Sequence, residues 1–260
     1  MTLFYFTYAF VIGLCFGSFG NVVIHRLPIG KSILSPSCCS NCNLKLGVLD
    51  LIPVISWVFL KGRCRGCKGK ISIRYPIVEI ICGILFAGML WFYPSVSVIP
   101  LALFSLILLC TALIDLDTQE IYDVLLIIGA LIGVVYVLLP FFEAAYSWQD
   151  ALVGAVVGGM TLFILDKICL LFFNKDGFGY GDMKLMAVAG IFLGWQNTLI
   201  AFALAFIAGA VCAIYLLLSK RIERGEYLAF GPFLCLGIVF ALWFGDEFNR
   251  QLGFFLFGGW

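Results

Sequence analysis

Long uncharged apolar runs alternate along this chain with short polar segments. Residues 3–24 carry no charge, and neither do residues 80–114, although Pro94, Ser95, Ser97 and Pro100 interrupt that run; residues 124–142, the stretch around 151–173, and residues 185–219 and 228–245 follow. A helix needs about 20 apolar residues to cross the ~30 Å hydrocarbon layer, so each of the two double-length runs is read as a hairpin. The second divides at Gly194-Trp195-Gln196-Asn197. The pattern predicts an all-α polytopic membrane protein of about eight transmembrane helices, because an open sheet leaves its backbone unsatisfied in lipid. It also divides the chain into a first transmembrane helix (1–24), a cytoplasmic loop (25–75) and a seven-helix membrane region (76–260). Composition excludes a soluble domain: 63% of residues are apolar and 12% charged, about half the usual charge.

The charges decide orientation. Sixteen basic residues against fifteen acidic ones give no net excess that would attract nucleic acid. Arg26, Lys31, Lys45, Lys61, Arg63, Arg65, Lys68, Lys70 and Arg74 follow the first span, and Lys167, Lys175, Lys184, Lys220, Arg221 and Arg224 fall in the later even gaps, leaving Arg250 alone opposite. The positive-inside rule then places both termini outside and the charged connections in the cytoplasm. The first span does not read as a cleaved signal peptide, because its positive charges follow the apolar run.

Five of the eleven cysteines lie in the 25–75 loop: Cys38, Cys39, Cys42, Cys64 and Cys67. Two Cys-x-x-Cys knuckles, Cys39 with Cys42 and Cys64 with Cys67, are separated by 21 residues. A reducing cytoplasmic side disfavours disulfides, and four thiolates suit a structural zinc with no open position. Cys38 competes with Cys39 as a ligand. His25, the only histidine, reads as an interfacial side chain.

The sequence Ala-Leu-Ile-Asp-Leu-Asp-Thr-Gln-Glu-Ile-Tyr-Asp places Asp115, Asp117, Glu120 and Asp123 in a connection without one basic residue. Asp115 directly follows a long apolar helix, where a carboxylate is costly and marks function. Its natural partner is Asp182, in Gly177-Phe178-Gly179-Tyr180-Gly181-Asp182-Met183-Lys184, with Gly179, Gly181 and Lys184 as the supporting loop. Counted from the outer turns at 1.5 Å per residue, Asp115 lies ~22 Å and Asp182 ~18 Å down, so the two are expected at similar depth. Two carboxylates in a poorly solvated site share a proton, and such a pair activates water against a peptide bond.

These residues resemble the bacterial type IV prepilin peptidases, also called prepilin leader peptidase/N-methyltransferases. The resemblance runs through Gly17-Ser18-Phe19, Asn21-Val22-Val23-Ile24-His25-Arg26-Leu27-Pro28, both knuckles, Arg74-Tyr75-Pro76-Ile77-Val78-Glu79, Leu113-Ile114-Asp115-Leu116-Asp117, Gly179-Tyr180-Gly181-Asp182-Met183-Lys184 and Phe230-Gly231-Pro232. It implies a Gly-x-Gly-Asp aspartic protease of the bacterial inner membrane with Asp115 and Asp182 as catalytic pair. Such enzymes cut the basic leader from type IV prepilins or type II secretion pseudopilins after a glycine, then methylate the new N-terminus with S-adenosylmethionine. Members with the methyltransferase activity carry the cysteine-bearing loop. One departure is Tyr122, where the family usually has proline before the acid at position 123.

Asp117 and Glu120 are the expected contacts for a basic leader. No Gly-x-Gly-x-x-Gly after a strand marks a cofactor pocket. The polar candidates for methyl transfer are therefore Arg26, Arg74 and Glu79, at the junctions of the loop with spans one and two. The competing reading from another class is a transporter or channel that uses Asp115 and Asp182 as an ion relay.

Overall fold

The computed structural model describes residues 2–39, 41–142, 144, 146–174, 177–219 and 228–257. Among them the regular structure is helical, with two isolated bridges and no strand. The helices are α1 (Thr2–Arg26), α2 (Ile55–Phe59), α3 (Arg74–Phe92), α4 (Val98–Thr118), α5 (Asp123–Leu138), α6 (Trp148–Phe173), α7 (Tyr180–Leu218) and α8 (Gly231–Phe257). Six of these (α1, α3, α4, α6, α7 and α8) are long and apolar enough to cross a membrane, and α5 is a shorter apolar helix. At 1.5 Å per residue α5 reaches about 24 Å. Gly194 sits in α7 with φ 66° and ψ 171°, outside helical space, so α7 is two apolar helices joined at a glycine. That is the division expected at Gly194, and it brings the apolar helical segments to eight. Of the basic residues that set the expected orientation, Lys175, Lys220, Arg221 and Arg224 lie outside the described residues.

The chain divides into two compact units, Met1–Pro94 and Ser95–Trp260. In the first, α1 packs along α3. Gly13 and Gly17 make the close approach: a Cβ on Gly13 would lie 2.7 Å from the Cys82 carbonyl oxygen, and one on Gly17 2.7 Å from the Glu79 Cα. Small residues four apart let helices touch without the hydrophobic drive that lipid abolishes.

The second unit uses the same device. Gly154 and Gly158 of α6 face the backbone of α7 at Gly190 and Met186, where any side chain would collide. Stacked rings fill the space between α4, α5 and α7: Phe104 on Phe192 at 3.9 Å between centroids, and Tyr136 stacked with Phe192 at 5.9 Å. At the bend in α7, Thr198 Oγ1 donates to the Gly194 carbonyl at 2.6 Å, and Asn197 Nδ2 donates to Tyr146 Oη at 2.9 Å and to Asp246 Oδ1 at 2.7 Å. These bonds satisfy polar groups that a broken helix leaves inside apolar surroundings.

Three boundaries differ from the sequence pattern. Helix α4 continues to Thr118, so Asp115 and Asp117 are helical and not part of a connection. Helix α3 begins at Arg74, which places Glu79 in its second turn. Helix α8 runs on past residue 245 to Phe257 through Asp246, Glu247 and Arg250. In each case backbone hydrogen bonding carries the helix beyond the apolar run, since each residue added to an existing helix gains a bond without a new nucleation cost.

Candidate active site

Helix α4 ends where Gln119 enters the left-handed region, φ 55°, with its N–H bonded to the Asp115 carbonyl at 2.9 Å. This places Asp115 in the last turn, 5% exposed. Helix α7 starts at Tyr180 behind an extended Gly179, and Asp182 falls in its first turn, where its N–H bonds the Gly179 carbonyl at 3.1 Å and its carboxylate accepts from the Gly179 backbone. Asp115 and Asp182 interact electrostatically, and both act on the buried Cys235 thiol of α8. Two carboxylates 67 positions apart in sequence thus share one neighbourhood inside the second unit.

Helix α8 completes the surroundings of Asp115. The Gly231 N–H donates to Asp115 Oδ2 at 3.0 Å, and a Cβ on Gly231 would lie 2.6 Å from that oxygen. Only glycine lets the start of α8 come this close. Pro232 next to it costs nothing, because first-turn N–H groups have no helical partner. The sequence offered Phe230-Gly231-Pro232 as a motif without a role; its spacing alone held no sign of a donor to Asp115.

Of the supporting loop, Gly181 lies against the turn between α4 and α5: a Cβ there would meet Ile121 Cβ at 2.8 Å. Gly179 leaves room for Asp182, whose Oδ2 would be 3.4 Å from its Cβ. Lys184 Nζ pairs with Asp123 at 2.7 and 3.0 Å, with both side chains more than half exposed. This ion pair links the start of α7 to the start of α5. Tyr122, in the place of the family's proline, has φ −84° and ψ 122°. That φ is close to the range a proline ring imposes. The Tyr122 hydroxyl donates to Glu120 at 3.0 Å. Asp117 and Glu120 are both exposed at the end of α4 and the turn after it.

An acidic residue that drew no attention in the sequence is Asp166, on α6 and 3% exposed. Its Oδ1 accepts from the N–H groups of Gly177 at 2.9 Å and Phe178 at 3.3 Å, and its Oδ2 from Lys167 Nζ at 3.0 Å. A carboxylate in an apolar helix was the available signal.

In the first unit the Sγ atoms of Cys39, Cys42, Cys64 and Cys67 all lie within 4.8 Å of one another, and Cys39 and Cys67 are 3.8 Å apart. A tetrahedron with metal–sulfur bonds of ~2.3 Å has edges of ~3.8 Å, the Cys39–Cys67 separation, so the four thiols suit a zinc ion with a small contraction of the cluster. The knuckles repeat each other at an offset of 25 residues. Cys39 N–H bonds the Leu44 carbonyl and Cys64 N–H the Gly69 carbonyl, both at 2.9 Å; Asn43 and Lys68 both take positive φ, 56° and 59°; Cys38 bridges Lys45 as Arg63 bridges Lys70. Cys38 therefore occupies a strand-like position outside the cluster, and His25 is exposed away from it. Backbone N–H groups of Asn41 and Cys42 hold the Cys39 thiol down to about 6. Cys67 is pushed up to about 11: the Gly69 N–H favours its thiolate, but Cys42, burial, Cys39 and Cys64 oppose it. Without a metal the cluster keeps protons that a bound cation would displace.

The three methyl-transfer candidates differ in surroundings. Arg26 points its guanidinium at the carbonyls of Ser32, Ile33, Ser35 and Pro36, at 2.6 to 3.4 Å, and so gathers the loop after α1. Arg74 opens α3, its N–H donating to Ser72 Oγ at 3.2 Å. Glu79 is 7% exposed and accepts from the Val54 N–H at 2.7 Å and from the Ser18 hydroxyl. Val54 is a β-branched residue at φ 61°, ψ −51°, in a tight turn whose Ile55 N–H returns to the Pro53 carbonyl. Strain of this kind collects at functional sites.

Two family models match this chain, the bacterial peptidase A24 N-terminal domain over residues 11–93 and the type IV leader peptidase family over residues 102–214. A prepilin leader peptidase/N-methyltransferase of Aeromonas hydrophila is 35% identical over 95% of this chain and 93% of its own. Proteins of the same name from Pseudomonas putida (34%, covering 96% of this chain and 95% of its own) and Pseudomonas aeruginosa (32%, covering 92% and 90%) are similar over nearly their whole length. No solved structure matches. None of these names supports the ion-relay alternative. The matches over both units and nearly the full length show that this chain belongs to the type IV leader peptidase family.

Proposed function

We propose that this chain is a membrane aspartic endopeptidase that removes the basic leader from type IV prepilins or type II secretion pseudopilins after a glycine, and then N-methylates the exposed residue with S-adenosylmethionine. The observation that carries the reading is that Asp115, in the last turn of α4, and Asp182, in the first turn of α7, lie within electrostatic reach of each other, supported by the names of full-length relatives. With one carboxylate ionised and the other protonated, a water between them has a base and its target carbonyl has an acid. The ionised member takes a proton as the water oxygen attacks the peptide carbon; the protonated member donates to the carbonyl oxygen. Collapse breaks the C–N bond, and a proton passes to the departing amine. The starting protonation belongs to the pair and not to either residue. Gly231 N–H holds Asp115 Oδ2 and so sets the orientation of that carboxylate.

The rest of the second unit assigns itself around that step. Gly179 and Gly181 bring backbone close to Asp182 and Ile121, Lys184 with Asp123 ties the starts of two helices, and exposed Asp117 and Glu120 meet the Lys and Arg side chains of the leader. The distribution of basic residues supports placing this end of the helices at the cytoplasmic face of the inner membrane, with both termini outside.

Methyl transfer belongs to the first unit, where Cys39, Cys42, Cys64 and Cys67 hold a structural zinc. That unit has only two acids, Asp50 and Glu79. Asp50 is paired with Arg65 at 2.9 Å, whereas the partners of Glu79 are an amide and a hydroxyl. Methyl transfer brings together an ammonium acceptor and a sulfonium donor, so the carboxylate without a cation is the one that fits them. Bound S-adenosylmethionine supplies the methyl group; Glu79 orients the amine and takes its proton. Arg26 and Arg74 serve the same unit as loop clamp and helix start.

The experiment is the full-length protein in liposomes with a prepilin bearing a basic leader, read by mass spectrometry. The expected product lacks the leader and, with S-adenosylmethionine present, carries one added methyl group. An uncut prepilin under all lipid conditions would overturn the reading. Glu79→Gln should keep leader removal, lose methylation and weaken calorimetric binding of S-adenosylhomocysteine.

A further inference from the structure

We propose that Asp166 is a positioning residue for the aspartate pair, acting through the backbone of Gly177 and Phe178; the proposal rests on Asp115 and Asp182 as the hydrolytic centre. Asp166 lies on α6, where a buried carboxylate is expensive unless its oxygens are satisfied. Here Oδ1 takes both amides of the segment that leads into Gly179. Cys169, one turn further along α6, packs on Gly177 so closely that a Cβ there would be 2.9 Å from its Sγ. The segment is thus held to α6 immediately before it delivers Gly179 to Asp182.

A second line runs from the same point to Asp115. The Phe178 ring meets Phe230 edge to face at 5.4 Å and Phe206 at 5.8 Å, and Phe206 and Phe230 are 5.3 Å apart. Phe230 directly precedes Gly231, the donor to Asp115. Fixing the Phe178 backbone therefore fixes the platform for the start of α8 as well as the cap of α7. Asp166 is not itself a member of the pair: Asp115 is the charge that acts on Asp182.

The bonding pattern separates an acceptor role from a charge role. Both amides go to one oxygen, so Asp166→Asn keeps the acceptor and gives up the charge and the contact with Lys167. Asp166→Ala removes the acceptor. Misplacing catalytic groups by about 1 Å costs up to ~10²-fold, so Asp166→Ala should lower kcat for leader cleavage about tenfold to a hundredfold with KM within about twofold. Asp166→Asn should stay within about threefold of wild type, since a neutral hydrogen bond is about half as strong as a charged one.

The test uses full-length protein in liposomes, with methylation of a pre-cut pilin measured in parallel. A fall in kcat with KM and methylation held, together with rescue in Asp166→Asn, is the expected result. Wild-type kcat in Asp166→Ala overturns the proposal, and so does equal loss of cleavage and methylation, which marks a folding role. If the alanine variant does not accumulate, Asp166→Leu, which fills the volume without an acceptor, is scored by the same criteria. Asp182→Asn is assayed alongside: full cleavage in that variant sinks the aspartate pair itself, whereas an inactive Asp182→Asn beside a full-rate Asp166→Ala sinks only the positioning role.

Discussion

Across residues 27–73, Cys64 is the only apolar side chain buried among those described, whereas in the second unit α4, α7 as far as Phe202 and α8 as far as Leu242 bury large apolar side chains repeatedly. The loop therefore has almost no hydrophobic core with which to offset the cost of ordering its backbone. Its shape rests on four thiols converging on a point, on two matched knuckles, and on Arg26 gathering carbonyls. The aspartate pair is fixed in another way. Glycines allow backbones to approach, stacked rings fill the gaps, and amides from neighbouring segments meet carboxylates. One region is built around a cluster that suits a cation and the other around packing, and the two should fail under different insults.

Metal removal gives the largest contrast. Structural zinc contributes an apparent ~10–16 kcal/mol to small domains, so a strong chelator, or Cys64→Ser with Cys67→Ser, should abolish amide protection across residues 37–70 and with it methyl transfer. Protection of α4, α7 and α8 should be unchanged by hydrogen exchange. Equal loss in both regions would break the comparison.

A packing insult comes next. Gly231→Ala places a methyl group 2.6 Å from Asp115 Oδ2. Leader cleavage should fall about a hundredfold in kcat, by displacement of one carboxylate, while the metal content of the protein stays at one per chain. The smallest effect is at the surface. Replacing Asp117 and Glu120 by Asn and Gln should raise KM for a basic leader about three- to tenfold with kcat unchanged, because exposed charge pairs contribute little each. A leader stripped of its Lys and Arg should show no such rise.

Parts of this were legible from the residues alone. Charge-free runs locate helices because lipid forbids other solutions, and the Gly194 division follows from the length of one run. Spacing picks out the two knuckles, Cys39 with Cys42 and Cys64 with Cys67, but only the bridge between residues 38 and 45 sets Cys38 outside the cluster. Asp115 and Asp182 stood out as acids at the ends of apolar runs. Asp166 draws no reading of its own; its neighbour Lys167 counts only among the basic residues that set orientation. The Gly231 donor, the Asp123–Lys184 pair and the contact of Glu79 with Val54 join residues 25 to 116 positions apart, and no local pattern encodes such meetings. Helix ends were misjudged wherever charged residues continued a helix, as at Asp117 and Asp246.

The central claim is that Asp115 and Asp182 act as one unit on one water. Single-turnover cleavage of a prepilin by Asp115→Asn, Asp182→Asn and the double variant measures it most directly. Groups that act as a unit are not additive, so each single variant should lose at least ~10³-fold and the double should lose no more than the worse single. A single variant that cleaves at the wild-type rate, or a double whose loss is the product of the two, would contradict the account.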